Sequence, residues 1–199
     1  MRVTIFDYGA GNLHSLAKTL TGGSCVVRVE RDAAAAVRDT DALVLPGVGA
    51  FAPAAAALAS GREAMRDAIR AGLPTLGICL GMQLLFDESE EGPGAGLGVI
   101  AGRVERINAT RLPQIGWNAL AERTDALLTT SALDVAYYAN SFVCRPADTR
   151  VVTAWSTHEN DRFAASVRAG NCVGVQFHPE KSSAPGVRFV DAFLSSAVR

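Results

Sequence analysis

Apolar positions along this chain come in short runs divided by turn residues and by longer stretches with helical spacing. Residues 3–7, 25–29, 42–45 and 75–78 are brief runs rich in Val, Ile, Leu and Phe, and each predicts a strand. A helix is predicted from Leu13, and further helices between Ala52 and Ala71; the alanine runs 33–36 and 54–57 are good helix formers that need no functional reading. Strands alternating with helices predict an α/β fold, a mostly parallel sheet covered on both faces. The second half is richer in strands, at 102–107, 135–139, 151–155, 163–168 and 173–177, before a closing helix near 187–197. In such sheets ligands bind beyond the carboxyl ends of the strands, and Val48 and Cys79 both fall there.

At 199 residues and 49% hydrophobic composition the chain can bury a substantial core, and residues 1–199 are expected to form one domain. The formal charge of -1, with basic residues scattered, leaves no cationic stripe and argues against nucleic acid as a partner. The uncharged run 71–86 is interrupted by Pro and Gly and carries Gln83, so no membrane span is expected. Met1-Arg2 leads straight into a strand without a secretory apolar core, and the expected location is the cytoplasm. Cys25, Cys79, Cys144 and Cys172 are widely spaced, which suits reduced thiols. His14, His158 and His178 form no ligand cluster, so neither a metal nor a cofactor is expected. Gly92 to Gly98 lacks the Lys-Ser or Lys-Thr of a phosphate loop and reads as a flexible connection.

The chemistry concentrates in Gly77-Ile78-Cys79-Leu80-Gly81-Met82-Gln83. An apolar strand ends at Ile78 and a helix is predicted over 80–86, so Cys79 sits at a strand-to-helix elbow that points it into solvent. The helix would aim its positive end at the sulfur and favour the thiolate. An isolated cysteine is most often a buried core thiol. The second segment, Gly174-Val175-Gln176-Phe177-His178-Pro179-Glu180, changes that balance. Pro179 biases His178 toward extended backbone, and residues two apart in extended chain share a side, so Glu180 is expected beside the imidazole. Cys79, His178 and Glu180 then make a nucleophile, base and orienter. Pro46-Gly47-Val48-Gly49-Ala50-Phe51 follows another strand, and its backbone N–H groups with that of Leu80 suit an oxyanion hole.

Together these segments resemble the class I, triad-type glutamine amidotransferases, with their flavodoxin-like fold. Within that family, Asp7-Tyr8-Gly9-Ala10-Gly11-Asn12, Leu45-Pro46-Gly47-Val48-Gly49-Ala50-Phe51, Pro113-Gln114-Ile115-Gly116-Trp117-Asn118 and His178-Pro179-Glu180-Lys181-Ser182-Ser183 are similar to the glutaminase subunits of imidazole glycerol phosphate synthases. The resemblance implies Cys79 as nucleophile, His178 as base, Glu180 as its orienter, and Val48 and Leu80 as the oxyanion donors. It implies a glutamine pocket at Gly47, Gly49, Gln83, Asn140, Ser141 and Phe142, and a docking face near Asn12, Trp117, Tyr137 and Lys181. The implied partner is a (β/α)8-barrel cyclase subunit, in a heterodimer that makes imidazole glycerol phosphate and aminoimidazole carboxamide ribonucleotide for histidine biosynthesis. Two segments depart from the family pattern. Asn140 stands where a histidine is usual, and the usual Tyr-Gly is missing around His158-Glu159-Asn160-Asp161. The alternatives left open are a glutaminase serving another synthase, an inactive regulatory module of the same fold, and a peptidase-like or esterase-like cysteine hydrolase.

Overall fold

The computed structural model describes residues 1–9, 13–21 and 25–197. The first half contains β1 (Arg2–Phe6), α1 (His14–Leu20), β2 (Val26–Glu30), α2 (Ala33–Ala36), β3 (Ala42–Leu45), α3 (Phe51–Leu58), α4 (Arg62–Arg70), β4 (Thr75–Ile78) and α5 (Leu80–Gln83). The second half adds β5 (Glu88–Ser89), β6 (Gly102–Arg106), β7 (Gln114–Ala119), α6 (Ala126–Thr130), β8 (Val135–Asn140), β9 (Phe142–Pro146), β10 (Val152–His158), β11 (Asp161–Ala169), β12 (Cys172–Val175) and α7 (Ser183–Ser196).

Seven strands form the main sheet in the order β10-β11-β12-β4-β3-β1-β2. The pairs from β12 to β2 are parallel, and β10, β11 and β12 pair antiparallel. β5-β6-β9 and the β7-β8 ribbon make two small sheets. Strands β3 and β4 are buried along their whole length, as parallel strands covered on both faces must be. Alternation along the strands feeds two cores. Val3, Ile5, Val44, Leu76 and Ile78 face one side, with Leu16 and Leu20 of α1 and Phe189 and Phe193 of α7. Phe6, Leu43 and Leu45 face the other, with Phe51, Leu58, Met65 and Ile69 of α3 and α4.

The sequence pattern placed the main-sheet strands to within a few residues, and the helix-forming alanine run 33–36 is α2, but the pattern missed β5, β7, α6 and β9. The helix after Cys79 is also shorter than the pattern suggests, ending at Gln83 rather than Phe86. Its last turn tightens, with Leu85 N–H donating to Met82 and Phe86 N–H to Gln83. Carbonyls of Leu84, Leu85 and Phe86 instead accept N–H groups of residues 97–100. The glycine-rich stretch, expected to be a flexible connection, is therefore bonded back onto the elbow, and its Leu97 is buried.

Candidate active site

The elbow begins where β4 ends. Cys79 has φ +48° and ψ -105°, an unusual conformation for a residue with a side chain. Its N–H donates to Val175 of β12 at 2.7 Å, and its carbonyl accepts from Gln83 N–H at 3.1 Å, so both neighbours hold the strained backbone. Close packing demands glycine just beyond. A Cβ on Gly81 would stand 2.0 Å from the carbonyl oxygen of Leu45. Cys79 is buried rather than presented to bulk solvent as the elbow pattern predicts, because the 46–50 loop and the 139–142 segment close over it.

His178 follows β12 with extended backbone (φ -102°, ψ 96°), but Pro179–Lys181 is a 3-10 turn rather than continued strand. Even so, Nδ1 of His178 donates to Oε1 of Glu180 at 2.8 Å. That contact leaves the other ring nitrogen for the sulfur side. Burial pushes the imidazolium down, but pairing with Cys79 and with Glu180, through hydrogen bonding and charge, outweighs it and raises His178 to about 10. The second carboxylate oxygen of Glu180 is buried without a hydrogen-bond partner among the described residues. Burial raises Cys144 well above the ordinary thiol range and pushes Cys172 up to about 12.

The 46–50 loop fits against this pair through Gly47, where an added Cβ would lie 2.9 Å from Cys79 Cβ and 2.9 Å from His178 Cε1. Gly49 has φ +97°, a conformation that favours glycine. Leu80 is the first residue of α5, so its N–H has no intrahelical acceptor. Tyr8, which follows β1, donates its hydroxyl to the Pro46 carbonyl at 2.5 Å. Burial, then the nearby charges of Cys79 and Asp7, push that hydroxyl well up, so it stays a donor.

A cavity of about 200 Å³ opens beside the sulfur. It is lined by Gly47, Gly49, Cys79, Leu80, Gln83, Ala139, Asn140, Ser141 and Phe142, so the expected pocket residues are brought together. Glu91 and Pro113 complete the wall, and the sequence pattern singled out neither in this role. Gln83 lies one helical turn after Cys79, with its Nε2 donating to the Phe142 carbonyl at 3.1 Å and to Gln176 Oε1 at 3.3 Å. Its carbonyl oxygen is thus the polar atom left for a ligand. Asn140 folds back, donating Nδ2 to the same Phe142 carbonyl at 3.0 Å, while its buried Oδ1 has no partner among the described residues.

The departure at 158–161 has a local use. His158 Nε2 donates to the Arg111 carbonyl, Glu159 accepts from Thr110 and Arg111, and Asp161 accepts from Asn108 N–H. These bonds fasten the loop that leads into β7. On the β7-β8 ribbon Trp117 and Tyr137 are register partners with edge-to-face rings 6.1 Å apart, and Lys181 Nζ lies 5.8 Å from the Tyr137 ring centre. Asn12 lies outside the described residues. Among the described residues no group of three or more His, Cys, Asp or Glu is placed to hold a metal ion. No helix there is long and apolar enough to cross a membrane.

A glutamine amidotransferase class-I family model matches residues 4–196. The chain is similar to the imidazole glycerol phosphate synthase subunit HisH of Deinococcus radiodurans, 44% identical over 199 residues that cover 96% of this chain and 92% of that protein. The corresponding subunit of Pyrobaculum aerophilum is 39% identical over the full length of both chains. Among solved structures, one described as a glutamine amidotransferase superposes with a TM-score of 0.76 at 22% identity, covering 99% of each chain. PurLQS from Thermotoga maritima gives a TM-score of 0.76 at 19% identity, covering 100% of this chain and 99% of that one. At those identities the structures speak for the fold alone. The chain belongs to the class-I glutamine amidotransferases. Within that family it belongs with the HisH subunits of imidazole glycerol phosphate synthase.

Proposed function

We propose that the chain, acting as one glutaminase domain, releases ammonia from glutamine through Cys79, His178 and Glu180 and hands it to a cyclase subunit in histidine biosynthesis. The observation that carries this reading is the 2.8 Å His178–Glu180 link standing behind a cysteine whose strained elbow opens into the 200 Å³ cavity. The Sγ thiolate attacks the side-chain amide carbon of glutamine, forming a carbon–sulfur bond and a tetrahedral oxyanion. Backbone N–H groups of Val48 and Leu80 receive that charge, a contribution of roughly 3 to 4 kcal/mol per donor in comparable sites. Protonated His178 gives its proton to the amide nitrogen, the carbon–nitrogen bond breaks, and ammonia leaves. Water then adds to the glutamyl thioester while His178 takes its proton, and glutamate departs as the thiolate is restored. Glu180 keeps the imidazole in one tautomer and balances its charge throughout.

Substrate fits by complementarity. Gln83 presents a carbonyl acceptor, the 140–142 segment presents backbone groups, and Glu91 supplies a carboxylate suited to an α-ammonium. Partner docking is supported by the ribbon face, where Ile115 (66% exposed), Trp117 (55%) and Val135 (45%) lie with Tyr137 beside Lys181. An exposed apolar cluster with a cation at its edge suits a large protein surface, here a (β/α)8-barrel cyclase in a heterodimer in the cytoplasm. The Cys79→Ala complex with the cyclase provides the test. Glutamine-dependent synthesis should vanish while synthesis from ammonium salts persists. Loss of both activities in an assembled complex, or full glutamine-dependent activity in the variant, overturns the assignment.

A further inference from the structure

We infer that Gln176 is a catalytic residue beside the triad, whose side-chain amide holds the Cys79 sulfur as a thiolate and ties it to the wall of the substrate cavity. The inference rests on the proposed role of Cys79 as nucleophile. Gln176 directly follows β12, is fully buried, and fixes its backbone by donating N–H to the Ala165 carbonyl at 2.9 Å. Its amide has one sensible orientation. Oε1 accepts from Gln83 Nε2 at 3.3 Å, which turns Nε2 toward Cys79, 3.4 Å from Sγ.

A buried amide N–H needs an acceptor, and a neutral thiol is a poor one. A thiolate is a strong one, because a hydrogen bond to a charged atom is worth about twice a neutral one. The arrangement therefore favours the charged sulfur. Unlike His178, the amide cannot take up the proton, so it stabilises the nucleophile without competing as a base. The ionisable groups that feel the charge of the sulfur are His178, Tyr8 and Cys144, with Glu180 behind the imidazole and Glu91 across the cavity. The Tyr8 hydroxyl is already given to the Pro46 carbonyl, and the buried Cys144 thiol is a weak donor, so neither substitutes for the amide. The flanking residues Val175 and Phe177 are equally buried and apolar, which is the chemistry this position would have if packing alone were at stake. Gln83 extends the chain, since its Nε2 also bonds the Phe142 carbonyl at the cavity wall.

The near-isosteric Gln176→Met removes the donor and keeps the volume. In the full chain, the pH of half-maximal alkylation of Cys79 by iodoacetamide should rise by about one unit, a tenfold change in the reactive form at fixed pH. With the cyclase present, kcat for glutamine should fall about tenfold while KM stays within roughly twofold. An unmoved alkylation midpoint in folded Gln176→Met overturns the proposal. The unsubstituted protein offers an independent check that needs no folded variant. The Gln176 side-chain amide resonance should move with pH in step with Cys79 alkylation and stop moving in Cys79→Ala, and a resonance indifferent to pH overturns the proposal equally. Alkylation reads the sulfur directly and requires no glutamine turnover, so failure of the glutaminase reading leaves a separate signature in the Cys79→Ala synthesis assay.

Discussion

The Tyr8 hydroxyl lies 2.5 Å from the Pro46 carbonyl oxygen, a buried bond that fastens the loop beside Cys79 to the segment after β1. Pro46 opens the strip whose next residue packs against both Cys79 and His178. Removing the hydroxyl leaves that carbonyl without its donor. Tyr8→Phe should cost about 1 to 3 kcal/mol of stability and lower glutaminase turnover by more than it lowers alkylation of Cys79. Urea unfolding and glutamate release check the two effects. Unchanged turnover in the folded variant would show that the loop keeps its position without the tether.

Glu180→Gln removes one of the two partners that raise His178. A raised imidazole contributes stability that is complete below its unfolded value of 6.5 and is lost as pH climbs through about 10. The stability gap between the parent and Glu180→Gln should therefore be widest near and below 6.5 and close toward 10. Turnover should fall, yet remain above that of Cys79→Ala, because orientation survives in part where covalent chemistry does not. Urea titrations at several pH values measure the gap, and a gap constant across the window would remove Glu180 as the partner of the charge.

Those two sites were legible to different degrees in the chain. Cys79 and the His178-Pro179-Glu180 segment were visible because each depends on neighbours a few residues away. The His–Glu contact formed through a 3-10 turn instead of extended strand, since the proline that bars helix before itself also starts a tight turn after it. Gln176 and Glu91 were not singled out, because their roles come from pairings 97 residues apart for Gln176 and Cys79, and from the fold closing Glu91 onto the cavity. Ribbon strand β7 was hidden by Gly116 and Asn118, which read locally as turn residues. Asn140 was visible as a departure, but its bond to the Phe142 carbonyl was not.

Trp117 carries the next expectation, since a half-exposed indole on a ribbon held by long-range pairing can be removed without opening the core. Trp117→Ala should leave the isolated chain folded and weaken cyclase binding by about 2 kcal/mol, roughly thirtyfold in affinity. Calorimetry of the assembled pair reads this. Equal affinity in parent and variant would move the docking face elsewhere.

Gly47 offers the sharpest separation between sulfur reactivity and transition-state stabilisation. A methyl group there would meet Cys79 Cβ and His178 Cε1 at 2.9 Å and the Ile78 carbonyl oxygen at 3.0 Å. The Ile78 backbone is fixed in β4, and both side chains are held by the elbow and the 3-10 turn, so the loop is the part that must give. Moving outward, it would carry the Val48 N–H, the proposed oxyanion donor, away from the reacting carbonyl while leaving the thiol and imidazole paired. Gly47→Ala should thus lose about 100- to 1,000-fold in glutamine turnover yet keep iodoacetamide labelling of Cys79 within a few-fold of the parent. In complex with the cyclase, ammonium-dependent synthesis should be untouched, because that step belongs to the partner. A variant that is folded and turns over glutamine at the parental rate would show that the loop backbone does not serve the reacting carbonyl, and equal loss of labelling and turnover would place the damage at the sulfur instead.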